Sequence, residues 1–108
     1  MSRHYTTEDM RRRSPEVLVV EALGASFFAS GHIPGAVNLP PHRVREAAAA
    51  VLPDRDAPVV VYGAGPGCRQ AEIVLRILLA LGYRDLSRYP DGKAGWAAAG
   101  LVLATSEG

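Results

Sequence analysis

The stretch from Pro58 to Glu72 constrains what this chain can fold into more than any other part of it. It starts with Val59-Val60-Val61-Tyr62, an uncharged and largely β-branched run that is typical of a buried strand in a parallel sheet. The strand is then broken by a glycine-rich loop, whose residues are Gly63, Ala64, Gly65, Pro66 and Gly67. From Arg69 to Leu81 the apolar residues recur at the spacing of a helix.

A strand, a glycine-rich loop and a helix N-terminus in this order predict a cradle for an anion. Loop N–H groups and the positive end of the helix dipole are expected to face one small pocket. Arg69, in the first turn of the helix, either helps to hold the anion with its guanidinium or points into solvent. Pro66 has no N–H group and so removes one donor from the cradle.

Cys68, the only cysteine of the chain, stands at the rim of this predicted pocket. A thiol placed there is a candidate nucleophile, and the alternative is a small apolar side chain that packs the start of the helix. A single cysteine excludes an internal disulfide and gives no metal cluster. It also fits a reducing compartment.

Composition limits the classes of function. With 48% hydrophobic and 21% charged residues over 108 positions, the chain has the make-up of one globular domain, which we assign to residues 1–108. The net charge of +1 gives no sign of a nucleic-acid partner. The sequence has neither a membrane-spanning apolar run nor the apolar segment of a signal peptide, so we expect no membrane partner and a cytoplasmic location. No metal or organic cofactor is indicated.

Apolar runs alternate with helical segments along the rest of the chain. Val17–Val20 predicts a second buried strand, and Glu21 closes it at the carboxyl edge, where ligands bind in open α/β folds. The alanine-rich segment Arg43–Leu52 predicts a helix. Asp85–Tyr89 is weakly strand-like, and Gly95–Gly100 predicts a last short helix. The alternation predicts an α/β fold with a mainly parallel central sheet flanked by helices.

Three shorter features complete the prediction. Thr6–Arg13 predicts a short helix that is capped by one of its two leading threonines. The turn-rich segment Gly31–Pro40 leads into a third strand. Within it, His32 is either a general base or a structural hydrogen-bonding residue, and the turn context favours the structural role. Trp96 is either a core anchor or a platform for a ligand, and its position favours the core.

Three motifs of this chain resemble those of the rhodaneses, a family of sulfurtransferases. The family's N-terminal signature is matched nearly letter for letter by Gly31-His32-Ile33-Pro34-Gly35-Ala36-Val37-Asn38-Leu39-Pro40. Its active-site unit resembles Val60-Val61-Tyr62, the loop, and the helix that ends in Leu81-Gly82-Tyr83. Its C-terminal Gly-Gly element with a tryptophan is similar to Asp91-Gly92 followed by Trp96. The resemblance runs from about Thr7 to Leu103 and implies a rhodanese-like three-layer fold.

The resemblance also implies sulfur transfer. Rhodaneses take a sulfane sulfur from thiosulfate or a persulfide donor onto a loop cysteine. They then pass it to a thiophilic acceptor such as cyanide or another thiol. The implied partners of this chain are a small sulfur-containing anion and a thiol acceptor, the latter on a small carrier or on a protein.

The chain departs from the family pattern at the nucleophile. Gly63 stands where the family's catalytic cysteine directly follows the strand tyrosine, and glycine carries no nucleophile. Cys68 lies five residues further on, where some family members carry a second cysteine. The segment Glu21-Ala22-Leu23 replaces the family's frequent aspartate, hydrophobe and arginine, which removes one cationic group near the pocket. Five residues separate Gly63 from Arg69, a spacing similar to the Cys-X5-Arg loop of rhodanese-fold phosphatases and arsenate reductases.

These residues leave three functions open. The first is a sulfurtransferase in which Cys68 substitutes for the missing thiol. The second is a catalytically inactive rhodanese-like domain that serves as a binding or regulatory module. The third is an oxyanion- or phosphate-binding module that uses the loop from Gly63 to Arg69.

Overall fold

A parallel five-stranded sheet forms the centre of the molecule. The computed structural model describes residues 3–106, and the ends of the predicted domain, residues 1–2 and 107–108, lie outside that range. In chain order the strands are β1 (Arg3–His4), β2 (Leu18–Glu21), β3 (Val37–Asn38), β4 (Val59–Tyr62) and β5 (Leu86–Tyr89). Their spatial order is β1-β5-β4-β2-β3, and each neighbouring pair is parallel. The predicted α/β fold with a mainly parallel sheet is confirmed.

Within residues 3–106, four α-helices and a short 3₁₀ turn at Pro41–Arg43 connect successive strands, and a fifth α-helix follows β5. The helices are α1 (Thr7–Arg11), α2 (Ala25–Ser30), α3 (Val44–Val51), α4 (Arg69–Ala80) and α5 (Gly92–Ala98). Thr6 caps α1, because its side chain accepts the N–H of Asp9 and the carboxylate of Asp9 accepts the N–H of Thr6. Within residues 3–106, no helix is both long and apolar enough to cross a membrane.

The alternation of side chains along β4 creates a separate core on each face of the sheet. Val59 and Val61 pack with apolar residues of α3 and α4, among them Val74 of α4. Val60 and Tyr62 point the other way, because successive strand residues face opposite sides, and they join a second core with Met10 of α1 and Trp96 of α5. Helices therefore cover both faces of the sheet, and the predicted three-layer arrangement is confirmed.

His32 and Trp96 have the structural roles that the sequence favours. The His32 ring stacks on Phe28 with ring centroids 3.8 Å apart, and its Nδ1 lies 2.8 Å from the carbonyl oxygen of Phe28. Trp96 is only 7% exposed, and its indole N–H donates to the carbonyl of Val102 at 3.0 Å. Both rings are thus used for packing and for hydrogen bonds within the fold.

The structure differs most from the prediction at β1, at the end of β2 and at the start of α5; the other elements with predicted bounds differ by at most two residues at their ends. β1 was not predicted, because it has two exposed residues with no apolar alternation and is defined only by its pairing with β5. Glu21 is the last residue of β2 and fully buried, where the sequence predicts a polar residue after the strand. α5 begins at Gly92, three residues before the predicted start at Gly95. Gly92 has φ +61°, a left-handed conformation that sequence propensity does not associate with a helix start.

Candidate functional site

The loop from Gly63 to Cys68 lies at the carboxyl edge of the sheet, between β4 and α4. Glu21, Tyr62 and Tyr89 are register partners across the ends of three neighbouring strands, so β2, β4 and β5 end together at this edge. The carboxyl edge is where open α/β folds bind ligands. The structure therefore puts the predicted loop at the position that a binding site requires.

The start of α5 holds the loop from one side. The N–H of Lys93 donates to the carbonyl of Gly63 at 2.9 Å, and the N–H of Ala94 donates to the carbonyl of Ala64 at 2.8 Å. Because a trans peptide points its C=O and N–H in opposite directions, the N–H groups of Ala64 and Gly65 point away from α5. Neither group donates a backbone hydrogen bond within residues 3–106, and their convergence on one anion stays a prediction.

The thiol of Cys68 occupies the space beside Gly63. A Cβ built on Gly63 would overlap the Sγ of Cys68 and would lie 2.9 Å from its Cβ. Gly63 itself is buried, whereas Cys68 is half-buried. The one thiol of the chain thus lies directly against Gly63 and leaves no room for a side chain at position 63.

Cys68 is also the N-cap residue of α4. Its backbone is extended, with φ −68° and ψ 115°, and its side chain makes no capping hydrogen bond to the helix. The Sγ instead lies 3.4 Å from the Oε1 of Gln70, to which the thiol can donate. The first N–H groups of α4 therefore keep their capacity to bind an anion, at the positive end of a twelve-residue helix.

A shallow groove follows the outside of the loop. Its lining residues are Ala64, Gly65, Pro66, Gly67, Cys68, Arg69, Gln70 and Ile73. Arg69 is exposed, and Ile73 is 45% exposed. The structure thus brings the predicted loop residues, the thiol and the predicted guanidinium to one open surface. Whether Arg69 binds an anion there stays a prediction.

Arg88 supports the loop from β5. Its Nη2 donates to the backbone carbonyl of Cys68 at 3.1 Å, while its Nε is buried and has no hydrogen-bond partner among the described residues. Arg88 pairs in register with Val61 of β4, so the guanidinium reaches the loop from the neighbouring strand. This contact fixes the backbone of the residue that carries the thiol.

A buried carboxylate lies behind the loop. Glu21 is fully buried, and its Oε1 accepts the hydroxyl of Tyr62 at 2.6 Å. The Tyr62 oxygen in turn accepts the N–H of Ile33 at 3.0 Å. The Lys93 ammonium lies 3.1 Å from the Oε2 of Glu21, as an ion pair whose geometry falls short of a hydrogen bond. Burial, and then the hydrogen bond to Glu21, raise the pKa of Tyr62 far above its usual value, so the hydroxyl stays a donor at physiological pH.

Sequence reasoning missed Arg88 and Lys93. Both make contacts with residues far away in the chain, which no local pattern encodes. Lys93 did carry a signal, because it is the only lysine of the sequence and it directly follows Asp91-Gly92. Arg88 carried a weaker one, as a charge within a segment that reads as a strand.

The fold agrees with the comparisons to known proteins. The family model for the rhodanese-like domain matches residues 6–99. The chain therefore belongs to the rhodanese-like domain family.

Among the relatives of known sequence is the HTH-type transcriptional regulator Rv0324 of Mycobacterium tuberculosis, which is 36% identical over 93 residues. That match covers 86% of this chain and 40% of the regulator, so the chain spans about two fifths of the length of this relative.

Two solved structures with the same fold differ in their sequence identity to this chain. The thiosulfate sulfurtransferase of Pseudomonas aeruginosa is 32% identical with a TM-score of 0.82, over 95% of this chain and 20% of that one. The BH2092 protein of Bacillus halodurans has a TM-score of 0.85 at 19% identity, over 97% of this chain and 78% of that one. The second likeness concerns the fold alone.

Proposed function

We propose that this chain is a rhodanese-family sulfurtransferase domain in which Cys68 carries the sulfane sulfur. The observation that carries the proposal is the position of the Cys68 Sγ, which lies beside Gly63, too close to the place of a Cβ on Gly63 for both atoms to fit. We propose that this thiol from the loop end substitutes for the thiol that is missing from the loop start. The similarity to a thiosulfate sulfurtransferase supports the same assignment.

The proposed reaction has two steps. The thiolate of Cys68 attacks the outer sulfur of thiosulfate; the sulfur–sulfur bond of thiosulfate breaks, and sulfite leaves with its electron pair. A new bond then joins Sγ to the transferred sulfur as a persulfide. Cyanide or an acceptor thiolate next attacks that sulfur, and the electron pair of the persulfide bond returns to Sγ as the thiolate.

The residues around Cys68 suit this chemistry. The negative charge of thiosulfate and of the persulfide would meet the N–H groups of Ala64 and Gly65 and the first turn of α4. Arg69 lines the same groove and offers a positive charge to the sulfite group. The substrates we propose are a small sulfur-containing anion as donor and a thiol, free or on a protein, as acceptor. We also propose a cytoplasmic location, where a lone thiol stays reduced.

Thiosulfate:cyanide transfer by the natural protein and by Cys68→Ala tests the proposal. We expect transfer by the natural protein and only background in Cys68→Ala, since removal of a nucleophile lowers turnover by about 10⁶-fold in other enzymes. Activity that survives Cys68→Ala would contradict the proposal, because the sequence has no other cysteine.

A regulatory module without turnover is the second candidate function. The 36% identity to the HTH-type transcriptional regulator favours it, because that relative is named for regulation and not for catalysis. In this case Cys68 would take up a sulfur or the loop would bind an anion, but no repeated transfer to cyanide would follow. A single uptake event per chain with no steady-state turnover would favour this candidate over the enzyme.

A further inference from the structure

Glu21 needs a partner for its buried charge. It is fully buried at the end of β2, and removing a carboxylate from water is costly unless the charge is paired. The structure provides the hydroxyl of Tyr62 for one carboxylate oxygen and the ammonium of Lys93 for the other. The Lys93 side chain is only 18% exposed, so the pair is shielded from solvent.

Lys93 connects this carboxylate to the loop. Its ammonium lies 3.1 Å from Glu21 Oε2 and donates to the carbonyl of Phe27 at 2.9 Å. Its backbone N–H donates to the carbonyl of Gly63 at 2.9 Å. One residue therefore joins the sheet edge, the segment around α2 and the first residue of the loop.

The contact between α5 and the loop is close as well as polar. A Cβ on Gly92 would lie 2.6 Å from the carbonyl oxygen of Gly63 and 2.9 Å from the nitrogen of Gly65. The backbone of Gly63 in turn forms the surface against which the Sγ of Cys68 lies. A displacement of Lys93 would therefore move Gly63, and with it one wall of the site that holds the thiol.

We propose that Lys93 is a positioning residue for Cys68: its ion pair with Glu21 fixes the start of α5, and the N–H group of Lys93 then fixes Gly63 beside the thiol. The proposal rests on the proposed function, because it assigns Lys93 to the site in which Cys68 accepts sulfur. Lys93 acts through Gly63, and its ammonium is already engaged by Glu21 and Phe27.

The test compares three variants with the natural protein. Lys93→Met removes the ammonium and leaves Glu21 buried without its counter-charge. Glu21→Gln/Lys93→Met removes both charges and keeps side chains of similar size, so it is the variant most suited to fold. Arg84→Met is the matched control, because it removes an exposed cation paired with Asp56 at 3.7 Å, before the start of β5.

Two rates are measured at Cys68 in each folded variant. The first is alkylation by iodoacetamide, a neutral reagent that reports the exposure of the thiol. The second is uptake of sulfur from thiosulfate. In Glu21→Gln/Lys93→Met we expect alkylation to become about threefold faster, because the thiol is less enclosed. We expect sulfur uptake to fall by roughly tenfold or more, because the thiol and its donors are displaced. Arg84→Met should change neither rate.

The outcomes separate this proposal from the proposed function. Both rates unchanged in the folded double variant would overturn the positioning role and leave sulfur transfer intact. No sulfur uptake by the natural protein, with alkylation still altered in the double variant, would overturn sulfur transfer and support the positioning of the thiol. If neither Lys93→Met nor Glu21→Gln/Lys93→Met folds, amide hydrogen exchange of the natural protein tests whether the start of α5 is fixed. Slow exchange at Lys93 and Ala94 supports a fixed start of α5, and exchange as fast as in an unfolded chain overturns it.

Discussion

The Sγ of Cys68 lies so close to Gly63 that a Cβ on Gly63 would overlap it. A side chain at position 63 therefore requires the side chain or the backbone of Cys68 to shift. A thiol at the family's usual position and a thiol at Cys68 cannot both take the conformation seen here. Restoring a cysteine at position 63 without such a shift therefore requires a second substitution at Cys68.

Gly63→Cys alone is expected to destabilise the fold instead of restoring activity. Overpacking of this kind costs about 1–3 kcal/mol of the free energy of unfolding. Gly63→Cys/Cys68→Gly removes both the Sγ and the Cβ that collide, so it should recover most of that loss and present a thiol directly after Tyr62. Urea denaturation measures the difference. A Gly63→Cys protein that unfolds at the same urea concentration as the natural chain would contradict the overlap.

Gly92→Ala should be markedly more destabilising than Gly100→Ala. Both glycines have a positive φ, +61° and +79°, so an alanine is strained at either position. A Cβ on Gly100 meets nothing within 4 Å, whereas one on Gly92 meets the Gly63 carbonyl oxygen at 2.6 Å. We expect a loss of about 1 kcal/mol at Gly100 and roughly 2–4 kcal/mol at Gly92. Equal losses of the free energy of unfolding, measured by chemical denaturation, would contradict the close contact between Gly92 and the Gly63 carbonyl.

The Glu21–Lys93 pair gives a prediction for stability as well. Lys93→Met leaves an uncompensated buried carboxylate and should lower the free energy of unfolding by about 3–5 kcal/mol. Adding Glu21→Gln should recover much of this loss, because no unpaired charge then remains buried. A double-mutant cycle from urea denaturation measures the coupling. Additive losses from the two single substitutions would mean that the two charges do not interact.

The loop should bind a simple oxyanion weakly. An NMR titration with phosphate or sulfate is expected to shift the amide signals of Ala64, Gly65 and the first turn of α4. Arg69→Met should weaken the effect without abolishing it, since the backbone donors remain. Amide signals of the loop that stay unmoved at about tens of millimolar anion, the weak end of measurable affinity, would reject the anion cradle.

The sequence predicts the central parts of the fold because their signals are local. β4 is an uncharged β-branched run between Pro58 and Gly63, and its predicted bounds are those of the structure. α4 follows from apolar spacing, and Gly82, with φ +96°, ends it as predicted. The position of the loop at the sheet edge then follows from the parallel topology.

The rest of the site depends on contacts between distant residues. Lys93 contacts Glu21 although the two residues are far apart in the chain, and Arg88 reaches Cys68 from a neighbouring strand. No pattern within a segment encodes such pairs. The direction of the Cys68 side chain also depends on such contacts. The sequence alone therefore leaves open whether the thiol packs the helix start or faces the pocket. In the structure the thiol is half-buried, lies beside Gly63 and also lines the outer groove.

Intact-protein mass spectrometry after treatment with thiosulfate tests the central claim most directly. Cys68 is the only thiol, so any persulfide must form on it. We predict that the natural protein gains the mass of one sulfur atom, that cyanide removes it, and that Cys68→Ala gains none. A natural protein that stays at its unmodified mass under conditions that load an active rhodanese would contradict the assignment of Cys68 as the sulfur carrier.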